Sequence, residues 1–214
     1  MLPLCFDMSM KKEWQGLFIT IEGIDGAGLT TQTTILADRI RSLGKEVLVT
    51  KEPTSGPIGQ VIRRILSGEI KHEPCVLALL FAADRAYHFS SEILPALLKG
   101  QVVISDRYIL SSLAYQGVFL PVSWVKEVNS CSPDPDLCIL IDVDESTARE
   151  RIEKRGNRRE IFEREGEAEL IRRNYLELAK KLSWVKVVDG RGPVDQVANL
   201  IWKVVEPRLE EVST

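Results

Sequence analysis

Cysteine is scarce in this chain: Cys5, Cys75, Cys131 and Cys138 are the four among 214 residues, with no C-x-x-C pair and no metal-ligand spacing. That argues against a disulfide scaffold and against a zinc site, and for thiols in a reducing compartment. An excess of positive charge is also missing. A formal net charge of −3 argues against a general nucleic-acid binder, whose phosphate contacts need a basic face, and small molecules are the expected partners. Long hydrophobic runs are lacking: the longest, 76–83, is far too short to cross a bilayer, and the first residues hold no basic leader. A soluble, cytoplasmic protein with no membrane partner is expected. What is present, 44% hydrophobic and 28% charged residues without a repeat or a low-complexity linker, suits one domain with a full core.

Apolar runs of strand length alternate with segments of helical period, the signature of an α/β fold. Strands are expected at 17–22, 46–50, 102–105, 137–143 and 185–188, buried on both faces as in a parallel sheet. Helices are expected at 30–43, 57–67, 74–98, 109–118, 122–130, 145–154, 166–182 and 194–209. In the first of these Ile35, Leu36, Ile40 and Leu43 share a face, and Gly44 stands where a left-handed cap belongs. Ligands should gather at the carboxyl ends of the strands.

Residues 23–31 read Gly23-Ile24-Asp25-Gly26-Ala27-Gly28-Leu29-Thr30-Thr31, which fits the phosphate-binding loop G-x-x-x-x-G-K-[ST] in every position but one. The glycines let successive N–H groups curl toward one anion at a helix N-terminus, and the Thr30 hydroxyl is placed to ligate Mg²⁺. Where the pattern demands lysine the chain has Leu29. Either another cation serves the β- and γ-phosphates, or the loop has left catalysis. The glycine order G-x-x-G-x-G does not match a dinucleotide loop.

A second constellation, Ser105-Asp106-Arg107-Tyr108, closes an apolar strand. Its aspartate resembles the metal-orienting acid of P-loop proteins, and its arginine brings a bidentate cation to the same strand end; the bland alternative is a surface ion pair. A third lies on the helix before it, where Phe81 and Arg85 are four residues apart and present an aromatic plate and a guanidinium on one face. Taken alone, Phe81 reads as core.

Together with Thr50-Lys51-Glu52-Pro53 and the run Ser111-Ser112-Leu113-Ala114-Tyr115-Gln116-Gly117, these motifs in this order resemble the thymidylate kinases over about residues 16–205. The resemblance implies a three-layer P-loop nucleoside monophosphate kinase fold, a five-stranded parallel sheet flanked by helices with a short lid. It implies an N-terminal extension at 1–15, one kinase domain at 16–210 and a lid at about 155–163. The implied reaction moves the γ-phosphate of ATP to dTMP with Mg²⁺, in a homodimer. Carried over position by position, Phe81 stacks on thymine, Arg85 donates to O4, Ser112 faces the N3 edge, Tyr115 lies under the deoxyribose, and Arg107 holds the dTMP phosphate. Asp25 sits between the loop, the acceptor phosphate and the metal; Glu52, Ser111 and Gln116 border the substrate; Thr30 and Asp106, directly or through water, hold the metal.

The family comes in two patterns. One has an arginine inside the loop, where this chain has Gly26; the other has its catalytic arginine in the lid, where Arg158 and Arg159 stand and cannot be ranked by alignment. Most charges across 149–173 read as a solvated helix surface. Two departures stand out, Lys51 in place of the usual arginine and Leu29 in place of lysine. The expectation is a working but slow dTMP kinase; the alternatives are a nucleotide-binding regulator that has lost transfer and a kinase for another deoxynucleotide.

Overall fold

The computed structural model describes residues 14–154 and 166–211. Its centre is a five-stranded sheet, all parallel, in the order β2-β3-β1-β4-β5: β1 (Leu17–Glu22), β2 (Val47–Lys51), β3 (Val102–Asp106), β4 (Leu137–Asp142) and β5 (Val185–Asp189). The helices are α1 (Leu29–Ser42), α2 (Pro57–Leu66), α3 (Pro74–His88), α4 (Leu94–Leu98), α5 (Ile109–Tyr115), α6 (Val122–Val128), α7 (Glu145–Lys154), α8 (Glu167–Ala179) and α9 (Val194–Glu211). This is the expected α/β architecture of P-loop kinases.

Alternation along β1 ties the layers together. Leu17, Ile19 and Ile21 belong to one buried cluster with Leu36, Ala37 and Ile40 of α1 and with Val197, Ile201 and Val205 of α9. Phe18, one residue out of phase, joins a second cluster with Phe89, Ile93 and Tyr108, whose ring meets it edge-on at 4.9 Å. A third, smaller cluster closes α2 on α3 through Ile62, Ile65 and Leu77.

Burial on both faces holds for β1 and β3 but not for the sheet edges. β2 and β5 are partly open, with Val49 39% and Val187 48% exposed, because each has a neighbour on one side only. On α1 the buried face is Leu29, Gln32, Thr33, Leu36, Ala37 and Ile40; Leu43 is exposed, and the helix ends as expected with Gly44 at φ 78°. The helix expected over 74–98 is one continuous rod with a π turn at Phe89–Ile93. Pro95, at the start of α4, has no N–H for the preceding turn, and the wider turn absorbs the mismatch.

From β1 the chain runs outward to β2 and back to β3, then crosses to β4 and β5 on the other side. The connections diverge at the carboxyl ends of β1 and β3, which is where an α/β sheet leaves a crevice.

Candidate active site

A cleft of about 860 Å³ occupies that crevice. It brings together the P-loop (Ile24, Asp25, Gly26, Gly28, Leu29 and Thr30), Asp106 and Arg107 from the end of β3, Glu52 beyond β2, Phe81 and Arg85 of α3, and Ser111, Ser112, Tyr115 and Gln116 of α5 and its following turn. Gly23, Ala27 and Thr31 lie behind the wall: Ala27 is core, and the Gly23 carbonyl accepts from Arg107. Arg158 and Arg159 fall outside the described residues.

No side chain caps α1, whose Ncap residue Gly28 is left-handed at φ 96°, so the first N–H groups of the helix stay available to an anion. Leu29 opens that helix but turns inward. It is 6% exposed and packs in the same cluster as Ile21, Ile24 and Ala27, so its wall of the cleft is apolar where a phosphate-binding lysine would stand. Gly26 has φ 86°, and a Cβ there would lie 2.4 Å from the carbonyl oxygen of Ala148 on α7. No arginine fits at that position, which explains in steric terms why the loop carries none.

The Thr30 hydroxyl donates to Asp106 Oδ2 at 2.5 Å, and Asp106 is 4% exposed. Among the described residues no group of three or more His, Cys, Asp or Glu side chains is placed to hold a metal. One hydroxyl and one carboxylate suit Mg²⁺, which takes few protein ligands and completes its shell with water and phosphate oxygens.

Arg107 leaves β3 in a left-handed conformation, φ 74°, that aims its guanidinium across the crevice. Nη2 pairs with Asp25 Oδ1 at 2.5 Å, Nη1 donates to the Gly23 carbonyl at 2.8 Å and to Ser111 Oγ at 3.2 Å, and the group stands 5.3 Å from the Tyr115 ring centre. Beneath it lies Glu22, fully buried, which accepts from the Tyr108 N–H at 2.9 Å, Ser111 Oγ at 2.5 Å and Tyr175 OH at 3.2 Å. Burial pushes its carboxyl up to about 7 against the pull of Ser111, Arg107 and Arg85.

Arg85 is 1% exposed and spends all five N–H donors inside the protein. Nε and Nη2 hold Glu52 Oε2 at 2.9 and 2.7 Å, Nη1 donates to Ser112 Oγ at 3.0 Å and to Asn129 Oδ1, and Nη2 also reaches the Tyr108 carbonyl at 3.1 Å. A base oxygen would share one of these hydrogens. Glu52 lines the cleft and is paired there with Arg85 and with His88 Nδ1 at 3.1 Å. Phe81 is half-buried one turn before Arg85, against the α2 cluster. Gln116 Oε1 is buried with no partner among the described residues, an acceptor at the cleft wall.

Several residues of the site carried no motif. Glu22 had a signal, an acid closing an apolar strand; Asn129 and Tyr175 had none, because they reach the site from α6 and α8 by tertiary packing alone.

The sequence model of the thymidylate kinase family matches residues 21–201. A probable thymidylate kinase of Pyrococcus horikoshii is 42% identical over 203 residues, covering 91% of this chain and 98% of the relative. One from Caldivirga maquilingensis is 40% identical over 197 residues (91% and 95% covered), and a thymidylate kinase of Leifsonia xyli is 40% identical over 201 residues (89% and 95%). With such identity over nearly the whole of each chain, on a fold whose P-loop opens into one cleft with the Asp106-Arg107 pair, the chain belongs to the thymidylate kinase family.

Proposed function

We propose that the chain transfers the γ-phosphate of ATP to dTMP, giving dTDP and ADP. The observation that carries this reading is one cleft walled at one end by the P-loop and Asp106 and at the other by Phe81, Arg85 and Ser112, with Arg107 between them. ATP phosphates lie on the N–H groups at the start of α1. The deoxynucleotide lies with its base against Phe81 and its sugar over Tyr115, whose ring a 2′-hydroxyl would crowd.

Arg107 and Asp25 form the centre. The guanidinium holds the acceptor phosphate by a bidentate, charge-assisted contact, and Asp25 keeps it in place through their ion pair. An acceptor phosphate oxygen then forms a bond to the γ-phosphorus while the bridging bond to the β-phosphate breaks and its electron pair leaves with ADP. Charge spreads over the equatorial oxygens, and Arg158 or Arg159 of the lid meets it. Thr30 and Asp106 would hold Mg²⁺, which supplies charge neutralisation at the β- and γ-oxygens.

At the base, Ser112 accepts from Arg85, which leaves the Ser112 hydrogen for a 4-keto edge; Gln116 offers its unpaired oxygen to a donor. The amino group of a cytosine would face donors instead, a loss of about 1–3 kcal/mol. The pairing of two copies is supported by Val76, Leu79, Ala83 and Tyr87, which form an exposed apolar stripe at helical spacing along α3. Among the described residues no helix is long and apolar enough to cross a membrane. The cytoplasm, where ATP is supplied, is the proposed compartment, and no nucleic-acid partner is proposed.

A coupled assay of ADP release with dTMP, dUMP, dCMP and dGMP tests the assignment. Turnover of dTMP and dUMP with dCMP and dGMP inactive supports it; comparable activity on dCMP or a purine overturns it. Leu29 favours one rival, a regulator that binds nucleotides without transfer, and binding of ATP and dTMP with no ADP release would establish that reading.

A further inference from the structure

We propose that Lys51, at the end of β2, supplies the positive charge beside the ATP β- and γ-phosphates that Leu29 does not supply from the P-loop. The inference rests on the kinase reading above for its rate measurements, and on the cleft itself for the rest.

Four cations of the described residues line the cleft, Lys51, Arg63, Arg85 and Arg107. Three are committed elsewhere. Arg63 gives Nη1 to the Thr54 carbonyl and Nη2 to the Pro53 carbonyl, both at 2.5 Å. Arg85 has spent all its donors, and Arg107 is divided among Asp25, Gly23 and Ser111. Lys51 is different: the ion pair it forms among the described residues is to Asp106 Oδ2 at 3.9 Å, beyond hydrogen-bond length, and its side chain, which lines the cleft, is 57% exposed.

The position is set by the sheet. Lys51 is the register partner of Asp106 across the β2–β3 pairing, so the two side chains leave the sheet side by side. Asp106 Oδ2 also accepts the Thr30 hydroxyl, and Thr30 is the residue after Leu29. The ammonium thus approaches the phosphate end of the P-loop from the strand next to it rather than from α1. A lysine is a compact point charge on a flexible stem, so one on the neighbouring strand can present its charge to the same anion as one on α1. The family usually has a cation at position 51 as well, as arginine; with none at residue 29, the field at the transferring group rests on Lys51 here, while Leu29 adds its side chain to the core.

The test uses Lys51→Met, Leu29→Lys and the double variant of the full chain, with kcat for dTMP and with ATP, ADP and dTMP affinities by titration calorimetry. Lys51→Met is expected to lower kcat by about 10²–10³ and weaken ATP at least about tenfold, with dTMP affinity changed less than about threefold, as for loss of one preorganised charge at a reacting oxygen. Leu29→Lys is expected to give no gain in the natural chain, where two ammonium groups would crowd one site, and to restore at least about tenfold of kcat in the Lys51→Met chain. Three results overturn the proposal: Lys51→Met within about threefold of the natural kcat, an affinity loss confined to dTMP, or a Leu29→Lys gain of equal size in both backgrounds. Should Leu29→Lys fail to fold, Lys51→Met decides alone. If the natural chain makes no dTDP, the kinase reading fails separately, and the ADP affinity of Lys51→Met still decides: weakened binding supports the charge assignment, unchanged binding overturns it.

Discussion

Arg107 Nη2 lies 2.5 Å from Asp25 Oδ1, so the residue after β3 and the third residue of the P-loop grip each other across the crevice. The same guanidinium takes the Gly23 carbonyl at 2.8 Å, which makes it both a candidate ligand for the acceptor phosphate and a clasp on the loop. Arg107→Ala is expected to weaken dTMP at least about 30-fold, about 2 kcal/mol at the lower end for truncating a hydrogen-bonded charge partner, and ADP by much less. Arg107→Lys should not restore it, because one point charge cannot serve both contacts. Calorimetric titration of both nucleotides checks this, and equal losses for ADP and dTMP would reduce Arg107 to the clasp.

Asn129 is buried, takes one Arg85 N–H and gives its own amide to the Val125 carbonyl at 2.8 Å, which fixes which end of the amide faces the guanidinium. Asn129→Ala leaves one buried donor unpaired. A loss of about 1–3 kcal/mol follows, which for a chain of this size is a Tm lower by roughly 2–12 °C. Because Arg85 also orders Ser112, the dTMP to dCMP ratio of kcat/KM should fall in the same variant. A Tm change with selectivity intact would limit Asn129 to folding.

Glu22 gives a pH signature. Its carboxyl holds the proton up to about pH 7 when folded, against an ordinary value of 4.5, and Arg107, Arg85, Tyr108, Tyr175 and Cys138 face it or act on it through charge or hydrogen bonds. Between those two values the folded state binds more protons than the unfolded one, so stability falls as pH rises through the window, by up to about 3 kcal/mol in all. Glu22→Gln keeps an acceptor for the Tyr108 N–H and removes the titration. Urea unfolding at pH 5 and pH 8 is expected to show the natural chain losing stability and the variant holding level; parallel behaviour of the two would refute the assignment.

The lid prediction starts from Gly26, where a side chain would meet the Ala148 carbonyl. Since no arginine enters the loop there, the transition-state cation is assigned to Arg158 or Arg159, which lie outside the described residues. Alanine at the responsible position should lower turnover by roughly 10³–10⁵ with dTMP affinity little changed. Single-turnover kinetics of the two single variants and the double variant measure this. Near-natural rates in all three would move the catalytic charge elsewhere.

Much of this was readable from the residues alone. The five strands, the helix that Gly44 stops and the P-loop each depend on neighbours a few residues away, through side-chain period and glycine backbone geometry, so their positions follow from local pattern to within a residue or two. The Asp106-Arg107 pair and the Phe81-Arg85 spacing were legible for the same reason. The sequence by itself therefore determined the elements, the loop and the family resemblance.

Tertiary structure decided the rest, because it depends on which strands become neighbours. Strand order made β2 and β5 edges, and so left Val49 and Val187 half-open although their runs read as buried. Packing across 153 positions put the Tyr175 hydroxyl on Glu22, and packing across 44 put Asn129 on Arg85. Most consequential is the register of β2 against β3, which sets Lys51 beside Asp106 and Thr30. A missing lysine is visible in a line of text; the charge proposed to answer it is placed only when two strands lie side by side, since electrostatics depends on distance in space and not on separation along the chain.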